Sequence, residues 1–116
     1  FYPFTDLENH ADNIIKIPLD AGTKGDKFRQ KIEEYCLPKL DKFKPELIFI
    51  SAGFDAHRED DMSHVNLVEN DYAWITGKLK EIAERHAQGK IISVMEGGYA
   101  LSALGRSVVG HLKELL

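Results

Sequence analysis

The sequence has little of what marks secreted, membrane-embedded or nucleic-acid-binding proteins. Its 116 residues include one cysteine, so no internal disulfide can form and nothing suggests an oxidising compartment. No apolar run approaches the roughly 20 residues that a membrane-spanning helix needs, and no signal peptide is visible. The net charge of -4 argues against a general nucleic-acid-binding surface, which is usually basic. We therefore expect a cytoplasmic protein without direct contact to nucleic acid or membrane.

The composition is that of an ordinary globular chain. Hydrophobic residues make up 43% of the sequence and charged residues 29%, which is enough apolar material for a modest core. The length corresponds to one domain or part of one. Because the sequence begins with Phe1 rather than methionine, we expect a chain that begins within a longer coding sequence.

The central stretch of the chain is a short apolar run that ends in small residues. Residues 47–50 are apolar at every position, which is typical of a strand buried on both faces. Three small residues, 51–53, follow, and then Phe54, Asp55 and His57 come just past the end of the strand. In open α/β sheets ligands bind at this edge, so a metal or acid–base site is one interpretation. A carboxylate that serves only as a helix cap or loop residue is the other.

A second apolar run ends in a pair of glycines. Residues 91–95 read as a buried strand, and Glu96, Gly97, Gly98 and Tyr99 follow it. Two strand ends would then present Asp55, His57 and Tyr99 to the same rim. A tight turn with Tyr99 packed beside it is an alternative, and so is a phosphate cradle. The phosphate cradle is the weaker of the two because no nucleotide-binding glycine motif is present.

The rest of the chain predicts alternating strands and helices. We expect a strand over residues 13–19, a helix over 26–43 that is broken at Pro38, and helices over 69–87 and 101–115. This order predicts an α/β fold with a parallel sheet and helices on both faces. The apolar stripe expected for the last helix consists of Leu101, Leu104, Val108, Leu112 and Leu115.

Several separate motifs, in order, resemble one family. They are Ser-Ala-Gly-Phe-Asp-Ala-His at residues 51–57, Glu-Gly-Gly-Tyr at 96–99, the opening Phe-Tyr-Pro at 1–3, and residues 13–19. Together they resemble the zinc-dependent histone deacetylase and acetylpolyamine amidohydrolase superfamily, and most of all its bacterial, class II-like members. The resemblance covers the whole chain but only the C-terminal part of the family domain. Residues 1–116 are therefore expected to be the C-terminal portion of one domain whose upstream part is missing.

The resemblance implies a fold, a reaction and a set of site residues. The fold is the three-layer α/β/α, arginase/deacetylase-like fold, and the reaction is zinc-dependent hydrolysis of an acyl amide such as acetyl-lysine or an acetylpolyamine. Asp55 is implied as a zinc ligand and Tyr99 as the catalytic group that stabilises the oxyanion. Gly97, Gly98 and Phe54 are implied to lie against the substrate.

His57 carries a further expectation. Two residues after Asp55 on an extended chain, it would point to the same side and could in principle share the metal. The resemblance gives the ligand role to the aspartate alone, so we expect His57 to support the site or fix the loop. The loop that follows departs from the family's Asp-Pro-Leu pattern, because Asp61 replaces the proline, and its stiffness is therefore in question.

The other zinc ligands and the general base of the family lie upstream of the residues present. We therefore expect the isolated chain to bind zinc poorly and to show little or no catalysis. The alternative is a truncated, non-catalytic module that acts by binding or by self-association through an exposed edge of the sheet.

Overall fold

The computed structural model describes residues 11–116, so the opening Phe-Tyr-Pro motif lies outside the described residues. Helix α1 (Gly25–Lys31) is followed by a π-helical turn (Ile32–Cys36) and helix α2 (Leu37–Phe43). Strand β1 (Ile48–Ala52), helix α3 (Glu69–His86), strand β2 (Ile91–Met95) and helix α4 (Leu101–Leu115) complete the order. No helix within residues 11–116 has the length and apolar character needed to cross a membrane.

The two strands pair in parallel. Ile48 lies opposite Ile91 and Ala52 lies opposite Met95, so both strands end at the same level. Helix α3 lies in the crossover between them, as parallel pairing requires. The predicted α/β class with a parallel sheet is therefore confirmed, and the ends of β1 and β2 are brought to one edge.

The core lies on one face of this sheet. Ile48 on β1 packs against the apolar side of α3, and Ala52 packs farther along the same face toward α4. The two apolar clusters at this face contain Ile48, Ile82, Ala83 and Ala87 in one and Ala52, Phe54, Leu67 and Tyr72 in the other. Partly buried residues of α2 pack against the first cluster, and partly buried residues of α4 pack against the second.

The opposite face of the sheet is open within the described chain. The Phe49 side chain is 62% exposed, and Ile92 and Val94 beside it are also exposed. The prediction that the first apolar run is buried on both faces is therefore wrong for residues 11–116, because the helices found there cover one side only. Self-association through an exposed edge of the sheet stays a prediction.

Residues 13–19 do not form the predicted strand. They have no regular secondary structure, and Ile14 and Ile15 are exposed. A β-branched run becomes a strand only when a neighbouring strand pairs with its backbone. No strand within residues 11–116 lies beside this segment, and the Pro18 carbonyl instead accepts a hydrogen bond from Lys31 Nζ at 2.6 Å.

The first helical stretch loses regular α-helical geometry before Pro38, rather than at Pro38 as predicted. The chain forms a π-helical turn, Ile32–Cys36, directly before α2, and Pro38 lies in the first turn of α2. Proline has no N–H group, so its place near a helix start leaves no donor unpaired. The π-helical turn is wider than a turn of α-helix, and it connects α1 to α2.

Helices α3 and α4 have nearly the predicted bounds, but α4 buries a different face. Its buried positions are Ala103, Ser107 and His111, whereas Leu101 and Leu112 are exposed. The predicted leucine stripe is therefore only partly inside. Close packing against α3 favours small side chains at the contact, and Gly110 lies against Ala73 in the same way.

His111 is buried in a polar cluster between α3, α4 and β2. The Thr76 hydroxyl donates to the Tyr72 carbonyl at 2.7 Å, so its oxygen is left to accept from His111 Nδ1 at 2.7 Å. His111 Nε2 then accepts from the Ser93 hydroxyl at 2.8 Å. The bond to Thr76 places a proton on Nδ1, and burial lowers the pKa of His111, which favours the neutral imidazole with Nε2 as the acceptor.

We expect the folded state to lose stability in mild acid because of His111. The unfolded chain takes up this proton near pH 6.5, whereas the folded protein takes it up only at lower pH. The stabilisation is complete above about pH 6.5 and falls as the pH drops below it, by at most about 1.4 kcal/mol per pH unit for one proton. Urea unfolding at pH 7.5 and 5.5 measures this change.

The variants are His111→Asn and, as a control at an exposed position of the same helix, Val109→Ala. His111→Asn should unfold more easily at pH 7.5 and show a smaller loss between the two pH values. Val109→Ala should keep the full loss. An undiminished pH dependence in His111→Asn would contradict the assignment.

Candidate functional site

Backbone hydrogen bonds continue between the two segments past the ends of β1 and β2. The Glu96 N–H donates to the Ala52 carbonyl at 2.9 Å, and the Phe54 N–H donates to the Gly97 carbonyl at 2.7 Å. The two segments singled out in the sequence therefore run side by side at the carboxyl edge of the sheet. This is the edge at which ligands bind in α/β folds.

The Asp55 carboxylate lies against two glycines. A Cβ built on Gly97 would come within 3.0 Å of the Asp55 carboxyl carbon, and one on Gly53 would come within 3.2 Å of its Oδ1. Asp55 is partly exposed. No donor within residues 11–116 forms a hydrogen bond with its carboxylate, so both oxygens are available to a cation. The two glycines leave the space in which this carboxylate stands.

Gly98 and Tyr99 complete the turn after β2. Gly98 has φ of 140°, and a Cβ there would come within 2.7 Å of Leu104 Cδ1. Only glycine fits this backbone and this contact. The Tyr99 side chain that follows is 60% exposed, so its phenol faces solvent rather than the core. The alternative in which Tyr99 packs beside the turn is therefore not what the structure shows.

Phe54 has a different place from the one expected. Its side chain is 3% exposed, and its ring contacts Tyr72 edge to face at 5.1 Å and His111 at 5.7 Å between ring centroids. The Tyr72 hydroxyl donates to the Phe54 carbonyl at 3.1 Å, and burial raises the pKa of Tyr72. This placement does not fit the expected substrate contact of Phe54, because almost none of its surface is accessible. The ring instead supports the strand end from inside the core.

His57 is buried, and both of its ring nitrogens have partners. The Glu59 N–H donates to Nδ1 at 3.1 Å, so the ring proton lies on Nε2, which is 3.3 Å from Glu69 Oε2. The side chain is 1% exposed. Its backbone pairs with Leu67, which ties the loop after β1 to the segment before α3. With both nitrogens occupied in this way, His57 presents no free lone pair to a metal.

The partners of His57 belong to a surface network that the sequence did not predict. Arg106 on α4 donates to Glu59 at 2.8 Å and also to Glu69. The hydrogen bond from Arg106 is the main cause that lowers the pKa of Glu69 to about 2, so Glu69 stays an anion. Charge spacing on α3 and α4 offers no signal for this network, because its members are far apart in sequence.

The contacts of Asp60 were also not predicted from the sequence. The residue is 6% exposed, and its Oδ1 accepts the Met62 N–H at 2.9 Å. Oδ2 accepts the N–H groups of Tyr99 at 2.7 Å and Ala100 at 3.1 Å. The loop that lacks the family's proline is thus held by a side chain. The local turn could have been predicted from an aspartate that bonds two residues ahead, but the contact to Tyr99 could not.

The donor set within residues 11–116 provides part of a metal site. No group of three or more His, Cys, Asp or Glu side chains in this part of the chain is arranged to hold a metal ion. Asp55 has the chemistry and the unpaired oxygens of a zinc ligand. The described residues therefore fit zinc as the source of one ligand.

Comparison with known proteins shows the family of this chain. The histone deacetylase domain family matches residues 1–115. Type-2 histone deacetylase 1 of Dictyostelium discoideum is 40% identical over 111 residues, which are 96% of this chain and 7% of that protein. The histone deacetylase-like amidohydrolase of Pseudomonas aeruginosa is 35% identical over 86 residues, which are 74% of this chain and 23% of that protein.

Solved structures agree with the sequence relatives. The crystal structure of the HDA15 HD domain superposes with a TM-score of 0.76 at 29% identity, covering 84% of this chain and 26% of that one. The structure of the histone deacetylase Clr3 gives a TM-score of 0.74 at 27% identity and covers 83% and 16%. This chain thus spans about a quarter or less of the length of these four proteins.

Proposed function

Because the chain belongs to the histone deacetylase family, we propose that it forms the C-terminal portion of a zinc-dependent deacetylase domain. The substrate is an acyl amide of the acetyl-lysine or acetylpolyamine type, which the domain hydrolyses to an amine and a carboxylate. The remaining zinc ligands and the general base come from residues outside this chain. We call the polypeptide that unites them with this chain the complete domain.

The observation that carries this proposal is the position of the Asp55 carboxylate against Gly97. The closeness of these two residues joins the proposed zinc ligand to the proposed substrate turn at one edge of the sheet. Zinc bound there would activate water and polarise the amide carbonyl. Asp55 contributes a negative charge and an oxygen ligand, held by a strand end that is anchored through Phe54 N–H to Gly97.

Tyr99 is the proposed catalytic residue of this chain. Its phenol is a hydrogen-bond donor, and the exposed ring is free to approach an oxygen that gains negative charge during hydrolysis. Gly97 and Gly98 have no side chains, so the substrate's acyl-amide end can lie close to the backbone. His57 supports the site by fixing the loop that follows Asp55.

The proposal is tested by acetate release and zinc content in the complete domain. The unmodified domain should release acetate from an acetyl-lysine peptide and should stop doing so when a chelator removes the metal. Gly97→Ala should weaken zinc binding by about 10-fold, because the new methyl group pushes the Asp55 carboxylate out of place.

The matched control is Gly105→Ala on α4, where a Cβ meets open space. It should leave zinc affinity unchanged and stabilise the helix slightly. A complete domain that neither binds zinc nor releases acetate would overturn the proposed function. Equal zinc affinity in Gly97→Ala and the unmodified domain would remove the observation on which it rests.

A further inference from the structure

Asp60 has a buried carboxylate, and every hydrogen bond that this carboxylate accepts within residues 11–116 comes from a backbone N–H group. One contact is local, to Met62, whereas the other two reach across the fold to Tyr99 and Ala100, 39 and 40 residues away. Burial alone would raise the pKa of Asp60, but the hydrogen bonds from these three N–H groups keep it below its usual value. Asp60 is therefore an anion at neutral pH, and its bonds are charge-assisted.

The two long-range bonds hold both sides of one residue. The Tyr99 N–H belongs to the peptide group before the Tyr99 Cα, and the Ala100 N–H belongs to the peptide group after it. A single oxygen, Asp60 Oδ2, therefore fixes the two peptide planes that determine where the Tyr99 side chain leaves the backbone. The ring itself is mostly exposed and has little packing of its own to orient it.

The residues on either side of Tyr99 explain why the backbone at this point needs strong hydrogen bonds. Gly98, just before Tyr99, has a positive φ and the backbone freedom of glycine. Ala100, just after it, precedes the first turn of α4 and supplies no side-chain cap. A negative charge at the start of a helix is favourable, so Asp60 compensates for the missing cap while it holds the turn.

We propose that Asp60 is a positioning residue for Tyr99, which sets the direction of the phenol by bonding the backbone on both sides of it. This inference rests on the proposed catalytic role of Tyr99. Asp60 itself touches neither substrate nor metal. Its contribution to turnover passes through Tyr99 alone, and this separates it from a residue that merely stabilises the fold.

The experiment is a double-mutant cycle in the complete domain with an acetyl-lysine peptide. Asp60→Asn keeps the size of the side chain but loses its charge. Its NH2 group faces either the Met62 N–H or the pair of N–H groups of Tyr99 and Ala100, and any hydrogen bond that remains is no longer charge-assisted. On the unmodified background, kcat should fall by about 10-fold to 100-fold, with KM changed by less than about 2-fold. On a Tyr99→Phe background, the same change should lower the residual kcat by less than about 2-fold.

The control is Asp61→Asn at the exposed neighbouring aspartate, which should leave kcat unchanged on both backgrounds. An equal loss from Asp60→Asn with and without the Tyr99 hydroxyl would overturn the inference, because a structural defect lowers both. If Tyr99→Phe alone keeps full turnover, the proposed function of Tyr99 fails first, and that result is separate from any effect of Asp60.

A measurement on the unmodified protein applies even if Asp60→Asn fails to fold. The amide hydrogens of Tyr99 and Ala100 should exchange with solvent slowly, because both are bonded to a buried carboxylate. The neighbouring Gly98 amide provides the comparison within the same turn. Exchange of Tyr99 and Ala100 at the rate of an open loop would overturn the inference.

Discussion

Asp55→Ala in the complete domain should abolish zinc binding at micromolar metal and should lower deacetylation by about 1000-fold or more. The substitution removes one of the three protein ligands that a catalytic zinc site usually has. Zinc contributes several kcal/mol to the stabilisation of developing charge, and each 1.4 kcal/mol corresponds to a factor of ten in rate. Zinc content by elemental analysis and acetate release measure the two effects.

The fold should survive this substitution. Asp55 is partly exposed, and within residues 11–116 its carboxylate forms no hydrogen bond that the alanine would break. Circular dichroism should therefore be unchanged. Asp61→Ala, at an exposed aspartate six residues later, is the matched control and should keep both zinc and activity. Full zinc content in Asp55→Ala would rule out the assigned ligand role.

The elements that could be predicted from sequence are those whose signal is local. The sequence predicts α3 over residues 69–87, and this helix ends at His86, whereas α4 has the predicted bounds. In both segments apolar residues recur at helical spacing over four or more turns, and both segments follow strands. They could therefore be predicted as helices without knowledge of distant contacts. The meeting of the two strand ends could also be predicted, because parallel strands in one sheet end at one edge.

The errors concern residues whose state depends on distant partners. Residues 13–19 have the β-branched composition of a strand, but within residues 11–116 no strand pairs with them. Phe49 belongs to a run that is apolar on both sides, yet its side of the sheet is open. The segments that match this chain are only about a quarter of the relatives compared, so contacts made by the rest of such a protein are not among residues 11–116.

The position of the Phe54 side chain also could not be predicted from the local sequence. The motif around Asp55 placed Phe54 at the rim, but the backbone turns so that the Phe54 ring enters the core between Tyr72 and His111. Whether a residue at a strand end points in or out depends on that turn, which residues 51–57 do not determine alone. Asp60 was missed for a related reason, because its partners lie 39 and 40 residues away.

Tyr99→Phe is expected to separate chemistry from metal binding. The substitution removes only the hydroxyl, so the complete domain should keep its zinc, its fold and a nearly unchanged KM. Because the lost donor acts on charge that develops in the transition state, kcat should fall by about 100-fold to 1000-fold. Steady-state kinetics with an acetyl-lysine peptide, alongside zinc analysis, measure both properties in one preparation.

The control for Tyr99→Phe is Tyr35→Phe, at an exposed tyrosine in the π-helical turn between α1 and α2. It removes the same atom away from the sheet edge and should leave kcat unchanged. The pattern of loss then distinguishes the two site residues of this chain. Asp55→Ala should lose metal and turnover together, whereas Tyr99→Phe should lose turnover with the metal in place. Loss of zinc in Tyr99→Phe, or full turnover without its hydroxyl, would contradict the division of roles between the ends of β1 and β2.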